Sequence, residues 1–522
     1  VNDDDRLSQY LSDRADSIAL APGDVRDITV RVMRRRRSRR TFSAAAAVAV
    51  LALGAVVLLS RGPGHQSVTV AGEPEPSRAA LTWSTVDVPE GLGWSFETVN
   101  AGTGSLFSLS TAPGVVPSGG SMDTRQVLYR SSDGRSWSTV ALPEGLSPTA
   151  LASSAGHLYA VGTAPGGGNT VDFAVASSTD DGNTWSQARL PQPEADLKAR
   201  FPHEVQISPP IIASGPQGVV AAVTVQAMPD VQALLPTDAM SSGWNITATG
   251  VDIYSPCAAD MQSISSSYGP PPTNLVECPK DGKQPPVEKS YTWDELGVDP
   301  ALRPLIGGQV HLYTSQDGST FDEVAAPGID GYVAELIASG DGYRMLTSGA
   351  LVPGLQPYYS ADGTSWEKTA DSGFDGWVVA SGLIDGKPLA VLETINGVAL
   401  LTAQPGGGWS QPVGINEALG LPTASNDHPT IAGLQSAVIG PLGVAAVFSI
   451  QDKAYLAESA DGRHYTTRPL GDVAGDGSWY AAGISMSADA VVVRLVPTPA
   501  PGSDPSNSPV PGPQRLLVGT IN

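Results

Sequence analysis

The sequence predicts an all-β fold, a seven-bladed β-propeller with N-/C-terminal strand closure, behind one N-terminal transmembrane helix and a short helical cytoplasmic tail. Three observations lead there. A Ser-x-Asp-Gly turn recurs down the chain, Gly and Pro number 58 and 44 among 522 residues, and one ten-residue stretch occurs nearly twice. Gly and Pro at this level describe a turn-rich chain with few long amphipathic helices. A hydrophobic content of 41% is ample for a packed core and excludes wholesale disorder. The net charge of −22 excludes a nucleic-acid partner, since phosphate binding needs clustered Lys and Arg.

The charge is uneven. Residues 1–61 hold eleven Arg and seven Asp, a net of +4, and the rest of the chain carries −26. Residues 41–60 run TFSAAAAVAVLALGAVVLLS without a charge. As a helix they reach about 30 Å, one hydrocarbon core. Arg34 to Arg37, Arg39 and Arg40 abut the N-terminal end, and only Arg61 follows the other. The positive-inside rule then makes residues 1–40 a cytoplasmic tail, 41–60 an anchor, 61–77 an extracellular linker and 78–522 the exported domain. The expected location is the cell membrane, single-pass, with the N-terminus inside. Ser38-Arg39-Arg40-Thr41-Phe42 resembles the core of a twin-arginine signal, but no A-x-A site follows it, so an uncleaved anchor is expected.

The domain repeats itself. Ser131-Ser132-Asp133-Gly134-Arg135-Ser136-Trp137 has counterparts at Ser178–Trp185, Ser315–Phe321, Ser360–Trp366 and Ser459–Tyr465, built around Asp180, Asp317, Asp362 and Asp461. In such a turn the carboxylate accepts backbone N–H groups, Gly supplies positive φ, and the aromatic starts the outgoing strand. These copies resemble the Asp-box (BNR) repeat of the sialidase-like β-propeller superfamily. The resemblance implies a structural role for the five Asp, on the outer turns away from the ligand face.

Spacing counts the blades. Asp133 to Asp180 is 47 residues and Asp317 to Asp362 is 45. The 99 residues from Asp362 to Asp461 hold two blades, with a degenerate turn at Pro405-Gly406-Gly407-Gly408-Trp409. Short apolar runs such as His157–Val161, Gly218–Val225 and Ala490–Leu495 read as strands. Residues 83–92, WSTVDVPEGL, repeat 137–146, WSTVALPEGL, so the first is a fourth strand with no blade before it. The last unit lacks a fourth strand, and the N-terminal strand is expected to complete it, leaving only protected edges.

The 137 residues from Asp180 to Asp317 require an insertion, about 228–308, between the second and third strands of blade three. It contains Cys257 and Cys278, which outside the cell are expected to form a disulfide, contributing about 3 kcal/mol on the chain-entropy model. Without a nearby histidine they make a poor zinc site, and no metal or other cofactor is expected.

The insertion faces away from the Asp turns, on the side where propellers of this family bind ligands. A fainter repeat lies there: Asp330-Gly331-Tyr332, Asp375-Gly376-Trp377 and Asp476-Gly477-Ser478-Trp479, with Trp94 at the matching place in blade one. Carboxylates and aromatics around a funnel suit a sugar or a cation. The plainer reading, that Asp-Gly makes the turn and the aromatic fills the gap between blades, is favoured.

Catalysis finds little support in the residues. The resemblance implies, for a sialidase, three arginines on the substrate carboxylate, a Tyr–Glu pair, an Asp acid and an Arg-Ile-Pro motif; Arg303-Pro304 and Arg468-Pro469 are misplaced for it. The six histidines are dispersed, and no H-E-x-x-H, G-x-S-x-G or Walker loop occurs. The expectation is therefore a membrane-anchored, non-catalytic binding scaffold for an extracellular protein or glycan, and not an enzyme. The alternatives are a glycan-active hydrolase with a non-sialidase site, or a surface sensor signalling through its tail. The tail resembles those of actinobacterial single-pass proteins found with extracytoplasmic-function sigma factors, which would make such a factor its cytoplasmic partner.

Overall fold

The computed structural model describes residues 66–68, 81–88, 97–100, 105–111, 126–154, 157–165, 171–236, 243–254, 287–325, 328–349, 351, 354–370, 374–394, 397–414, 433–450, 453–475, 479–497 and 514–521. The tail, the expected anchor at 41–60, Trp94, Cys257, Cys278 and Asp476 lie outside them. Among the described residues no helix is long and apolar enough to cross a membrane. The chain forms two compact units, one holding Glu194–Gln206 and Val225–Gln309, the other Ile207–Thr224, Val310–Asn522 and the residues before Glu194 from 37 onward.

The larger unit is all-β and antiparallel. Its described strands make seven sheets in chain order. Sheet one is Glu97–Asn100, Leu106–Thr111, Gln126–Ser131 and Ser138–Val140. Sheet two is Ser147–Ser154, His157–Pro165, Val171–Ser178 and Ser186–Leu190, and sheet three is Ile211–Gly215, Gly218–Ala227, Gln309–Ser315 and Asp322–Val324. Sheet four is Tyr332–Ser339, Gly342–Ser348, Leu355–Ser360 and Glu367–Lys368, and sheet five is Trp377–Ile384, Lys387–Thr394, Gly397–Thr402 and Val413–Gly414. Sheet six is Gly433–Gly440, Gly443–Ile450, Lys453–Ser459 and Tyr465–Pro469, with Gln66–Val68 added at its edge. Sheet seven is Trp479–Met486, Ala490–Pro497 and Arg515–Thr520, and Thr82–Asp87 pairs with its last strand from Thr82↔Thr520 to Asp87↔Arg515.

Each sheet buries both faces, so its middle strands read as continuous apolar runs rather than alternating ones. Gly218–Ala227 is buried over nearly its whole length. Separate apolar layers fill the gaps between successive sheets. Tyr159, Val161 and Phe173 meet Ile212, Val219 and Val223. Leu346 and Leu355 meet Phe374, Ala390 and Leu392. Leu106 and Tyr129 of sheet one meet Val492, Leu516 and Val518 of sheet seven. The first strands lie one against the next, and Trp479–Met486 lies back against Glu97–Asn100.

The Ser-x-Asp-Gly turns follow one hydrogen-bond plan. In the turn at Asp362, the Ser360 Oγ accepts the Gly363 N–H at 2.8 Å, and Asp362 Oδ1 accepts those of Thr364 and Ser365 at 2.8 and 3.0 Å. The Trp366 indole then donates to the Gly363 carbonyl at 2.9 Å. Gly363 has φ 82°, and a Cβ there would sit 2.8 Å from Val220 of the preceding sheet. Glycine is thus required twice, for its conformation and for the close approach. The degenerate turn uses two left-handed glycines instead, Gly406 and Gly407, with Ala403 bridged to Trp409.

At the chain ends, the Trp83 indole donates to Glu458 Oε1 at 2.5 Å, and Arg468 meets Glu458 Oε2 at 3.3 Å. Burial pushes the Glu458 carboxyl up, while Arg468 and Trp83 oppose the shift.

The smaller unit carries a three-stranded antiparallel sheet, Gly243–Ile246, Gly250–Tyr254 and Val287–Thr292. Thr292 and Glu295 exchange hydrogen bonds across the turn that ends the third strand, with Thr292 N to Glu295 Oε2 at 2.8 Å and Glu295 N to Thr292 Oγ1 at 3.2 Å. Arg303, of the Arg-Pro pair, donates to the Val298 carbonyl and pairs with Asp294 at 2.7 Å. Beyond the expected insertion, this unit also takes in Glu194–Gln206.

Two outcomes test the turn. Gly363→Ala should cost about 1–3 kcal/mol in a urea melt, more than Ala at an ordinary loop glycine. Hydrogen bonds from the Ser365 backbone and from Thr364 hold Asp362 at about 2, below its usual 3.8. Its contribution to stability is therefore whole above about pH 4 and lost as pH falls through about 2. Thermal melts of wild type and Asp362→Asn should converge in that acid range.

Candidate functional site

One end of sheets four and five carries a construction used twice. On sheet five, Phe374 is buried and exchanges both backbone hydrogen bonds with Leu355 of sheet four, at 2.7 and 2.9 Å. Exposed Asp375 follows, then Gly376 at φ 107°, then Trp377, which opens the first strand opposite Glu393. On sheet four, buried Ile329 accepts the Val310 N–H at 3.4 Å, exposed Asp330 follows, then Gly331 at φ 99°, then Tyr332 opposite Ser348. Leu355 pairs in turn with Ser348. A line of backbone pairs therefore runs from Phe374 through Leu355 and Ser348 to Tyr332 and fixes the two constructions to each other.

The glycines are there for the turn. A Cβ on Gly376 would lie 2.3 Å from the Glu393 carbonyl oxygen, and one on Gly331 would lie 3.1 Å from that of Ser348. So far the plainer reading of Asp-Gly holds. The aromatic departs from it: Trp377 is 50% exposed and fills no gap between sheets. A bulge between Val378 and Ala380 follows immediately, as one does between Val333 and Glu335, and such irregularities re-aim the side chains beside them.

Glu393 is the residue that motif reading missed. The position opposite the start of the first strand is Thr163 in sheet two, Ser348 in four, Ser449 in six and Pro497 in seven. In sheet five it is a glutamate. Burial pushes its carboxyl above the usual 4.5, against a hydrogen bond from the Trp377 side chain. The only sequence signal is a charge where the repeat puts a small or uncharged residue, and reading it needs the strand register.

The other predicted positions separate. Trp479 belongs to sheet seven, where Arg515 lies 5.0 Å over its ring and its indole donates to the Gly475 carbonyl at 3.3 Å. That is a packed, structural aromatic. The fully buried arginines are equally committed: Arg344 grips Asp341 at 2.8 Å and holds its carboxyl well below the usual range, and Arg494 donates to Gln514. No group of three or more His, Cys, Asp or Glu among the described residues can hold a metal ion.

No protein-family model and no curated protein matches the chain. Solved structures do. The chain is similar to the Hadza microbial sialidase Hz136, at 13% identity and TM-score 0.34, over 66% of this chain and 62% of that one. It is similar to the Bombyx mori GH32 β-fructofuranosidase BmSUC1, at 12% and 0.31, over 84% and 91%. A third is the phage phi92 endosialidase, at 10% and 0.35, over 85% and 69%. The chain thus spans under two thirds of the length of Hz136. The likeness is one of fold and carries neither a residue role nor a substrate across. The expectation of a non-catalytic scaffold that is not an enzyme stands against these neighbours, which are glycosidases.

The raised Glu393 gives a signed prediction. The folded chain binds this proton more tightly than the unfolded chain, so its contribution is whole below about pH 4.5 and lost as pH rises through the raised value. Glu393→Gln should melt above wild type at neutral pH, and the gap should close toward about pH 4.

Proposed function

We propose that the protein is a glycan-active hydrolase with a non-sialidase site at the end of sheets four and five. The seven sheets are the blades of a propeller closed by Thr82–Asp87, and the five Asp turns are Asp boxes on the opposite face. Residues 41–60 anchor the domain in the membrane and leave the site outside the cell, a placement that rests on the charge asymmetry around the apolar run.

One observation carries the reading: a half-buried carboxyl with a raised proton affinity, beside an exposed tryptophan, at the one described place where the repeat is broken by an acid. A carboxyl whose hold on its proton is strengthened by burial is what donation to a glycosidic oxygen uses. Glu393 is the proton donor. The Trp377 indole is the platform for the apolar face of a pyranose ring. Exposed Asp375, two residues before Trp377, is the second carboxylate, open to water, that glycoside hydrolysis pairs with the acid. The buried arginines, tied to Asp341 and Gln514, are not free to grip a substrate carboxylate, which supports a site of another kind than the sialidase one.

The test is reducing-end release from β-glucan, galactomannan, arabinogalactan and xylan by the full chain. Hydrolysis of at least one is expected, with Glu393→Gln slowing it by about 10²–10⁴-fold and Trp377→Ala raising KM several-fold. The rate should fall as pH rises through the Glu393 value. Absence of turnover on all four by folded protein overturns the proposal.

A further inference from the structure

We infer that the candidate site works against the membrane that anchors the chain. The end of the sheets that carries Trp377 and Glu393 is the end turned toward the bilayer, and the substrate is a glycan carried on a membrane lipid. This rests on the hydrolase and anchor readings above and names their substrate class.

The pairing of Gln66–Val68 with sheet six sets the direction. Its register is Gln66↔Thr467, Ser67↔Thr466 and Val68↔Tyr465. Followed back toward the anchor, the chain therefore climbs away from the Asp461 turn and toward Pro469. Pro469 pairs with Tyr455, Tyr455 with Phe448, and Phe448 with Leu434, beside the start of that sheet's first strand. In sheet five the same end carries Trp377 opposite Glu393, where sheet six has Gly433 opposite Ser449. The two first strands run the same way. A Cβ on Gly382, the sixth residue of one, would lie 2.4 Å from the carbonyl oxygen of Ile439, the seventh of the other. Leu389 and Val391 share an apolar layer with Val444 and Phe448 and hold the two sheets together. The tether and the candidate site thus leave the larger unit at one end.

Length keeps that end close to the lipid. Residues 61–65 are all that separates Ser60 from Gln66, and six peptide steps span at most about 22 Å. A rise of two residues, about 7 Å, already carries the chain from the level of Gln66 to that of Pro469. What remains is too short to return past the Asp461 turn and set the opposite end of the sheets against the bilayer. Three strand spacings and one sheet spacing put Glu393 within about 25 Å of the tether, measured across the sheets. A glycan whose lipid lies in the same bilayer is then presented at a high effective concentration, as one linked module is to another, and a free glycan is not.

The experiment uses the full chain in phosphatidylcholine liposomes, with a dye on a genetically introduced azide side chain at position 453 or 463. Lys453 and Arg463 are both exposed, the first at the site end of sheet six and the second at its Asp461 turn, about 20 Å apart. Energy transfer to a headgroup-labelled lipid should be stronger from 453 than from 463, by about twofold or more. Ser67→Pro takes a backbone N–H out of the added strand and should level the two. A run of twelve Gly and Ser inserted between residues 64 and 65 should do the same without touching the pairing. Equal transfer in the unaltered chain, or stronger transfer from 463, overturns the orientation. The substrate class is read with six-unit oligosaccharides of the four polysaccharides above, each free or coupled through its reducing end to a dialkyl lipid in those liposomes. At least one coupled probe should be cleaved tenfold faster than its free form, and the inserted run should reduce that gain. A free form cleaved as fast overturns the substrate class alone. No cleavage of any probe or polysaccharide removes the hydrolase reading with it, while the dyes still decide the orientation.

Discussion

Burial of both faces of every sheet in the larger unit is the constraint from which the rest of that unit descends. A twisted four-stranded sheet that is apolar on both sides must be covered on both sides, and here each sheet is covered by its two neighbours. The layers are thin, so backbone has to come close to side chain where a turn meets the next sheet. This is why Gly134, Gly318 and Gly363 sit where a Cβ would meet Val492, Tyr159 and Val220 at 2.4, 2.5 and 2.8 Å. The carboxylate beside each glycine then closes the turn around a conformation that packing has already chosen.

A repeat of this kind makes departures informative. The same backbone position recurs in sheet after sheet with a residue that suits a strand end, and nothing about packing asks for an acid there. Glu393 in a partly buried place lowers stability at neutral pH, and a natural chain keeps such a residue at a working site more often than elsewhere. Trp377 makes the same argument in apolar terms, since an indole half in water gains little from folding.

Much of the architecture was legible in the residues. The Asp133, Asp180, Asp317, Asp362 and Asp461 turns announce themselves because a tight hairpin has few chemical solutions. The echo of residues 83–92 in 137–146 pointed to the pairing of Thr82–Asp87 with Arg515–Thr520. The site was half legible. Asp375 and Trp377 stood out as a motif, but the motif also named Trp479, whose ring is covered by Arg515, a contact made across strands and invisible in spacing. Glu393 was silent because Leu-Glu-Thr at a strand end is ordinary; only its partner across the ladder and its burial make it unusual. The missing sialidase motifs speak against one active site and leave any other untouched.

Thr82–Asp87 has a consequence for how the chain must fold. Ser84 reaches the carbonyl of Val518, 434 residues away, and Trp83 reaches Glu458 at a separation of 375. A strand synthesised ahead of all seven sheets' first strands is thus among the last to find its place. Until sheet seven exists, its backbone edge and the Trp83 indole have no native cover, and the cost of closing so long a loop is met only by the final pairing. An emerging chain of this design spends most of its synthesis with one adhesive end, and whatever shields that end in the meantime governs how much of it matures rather than aggregates.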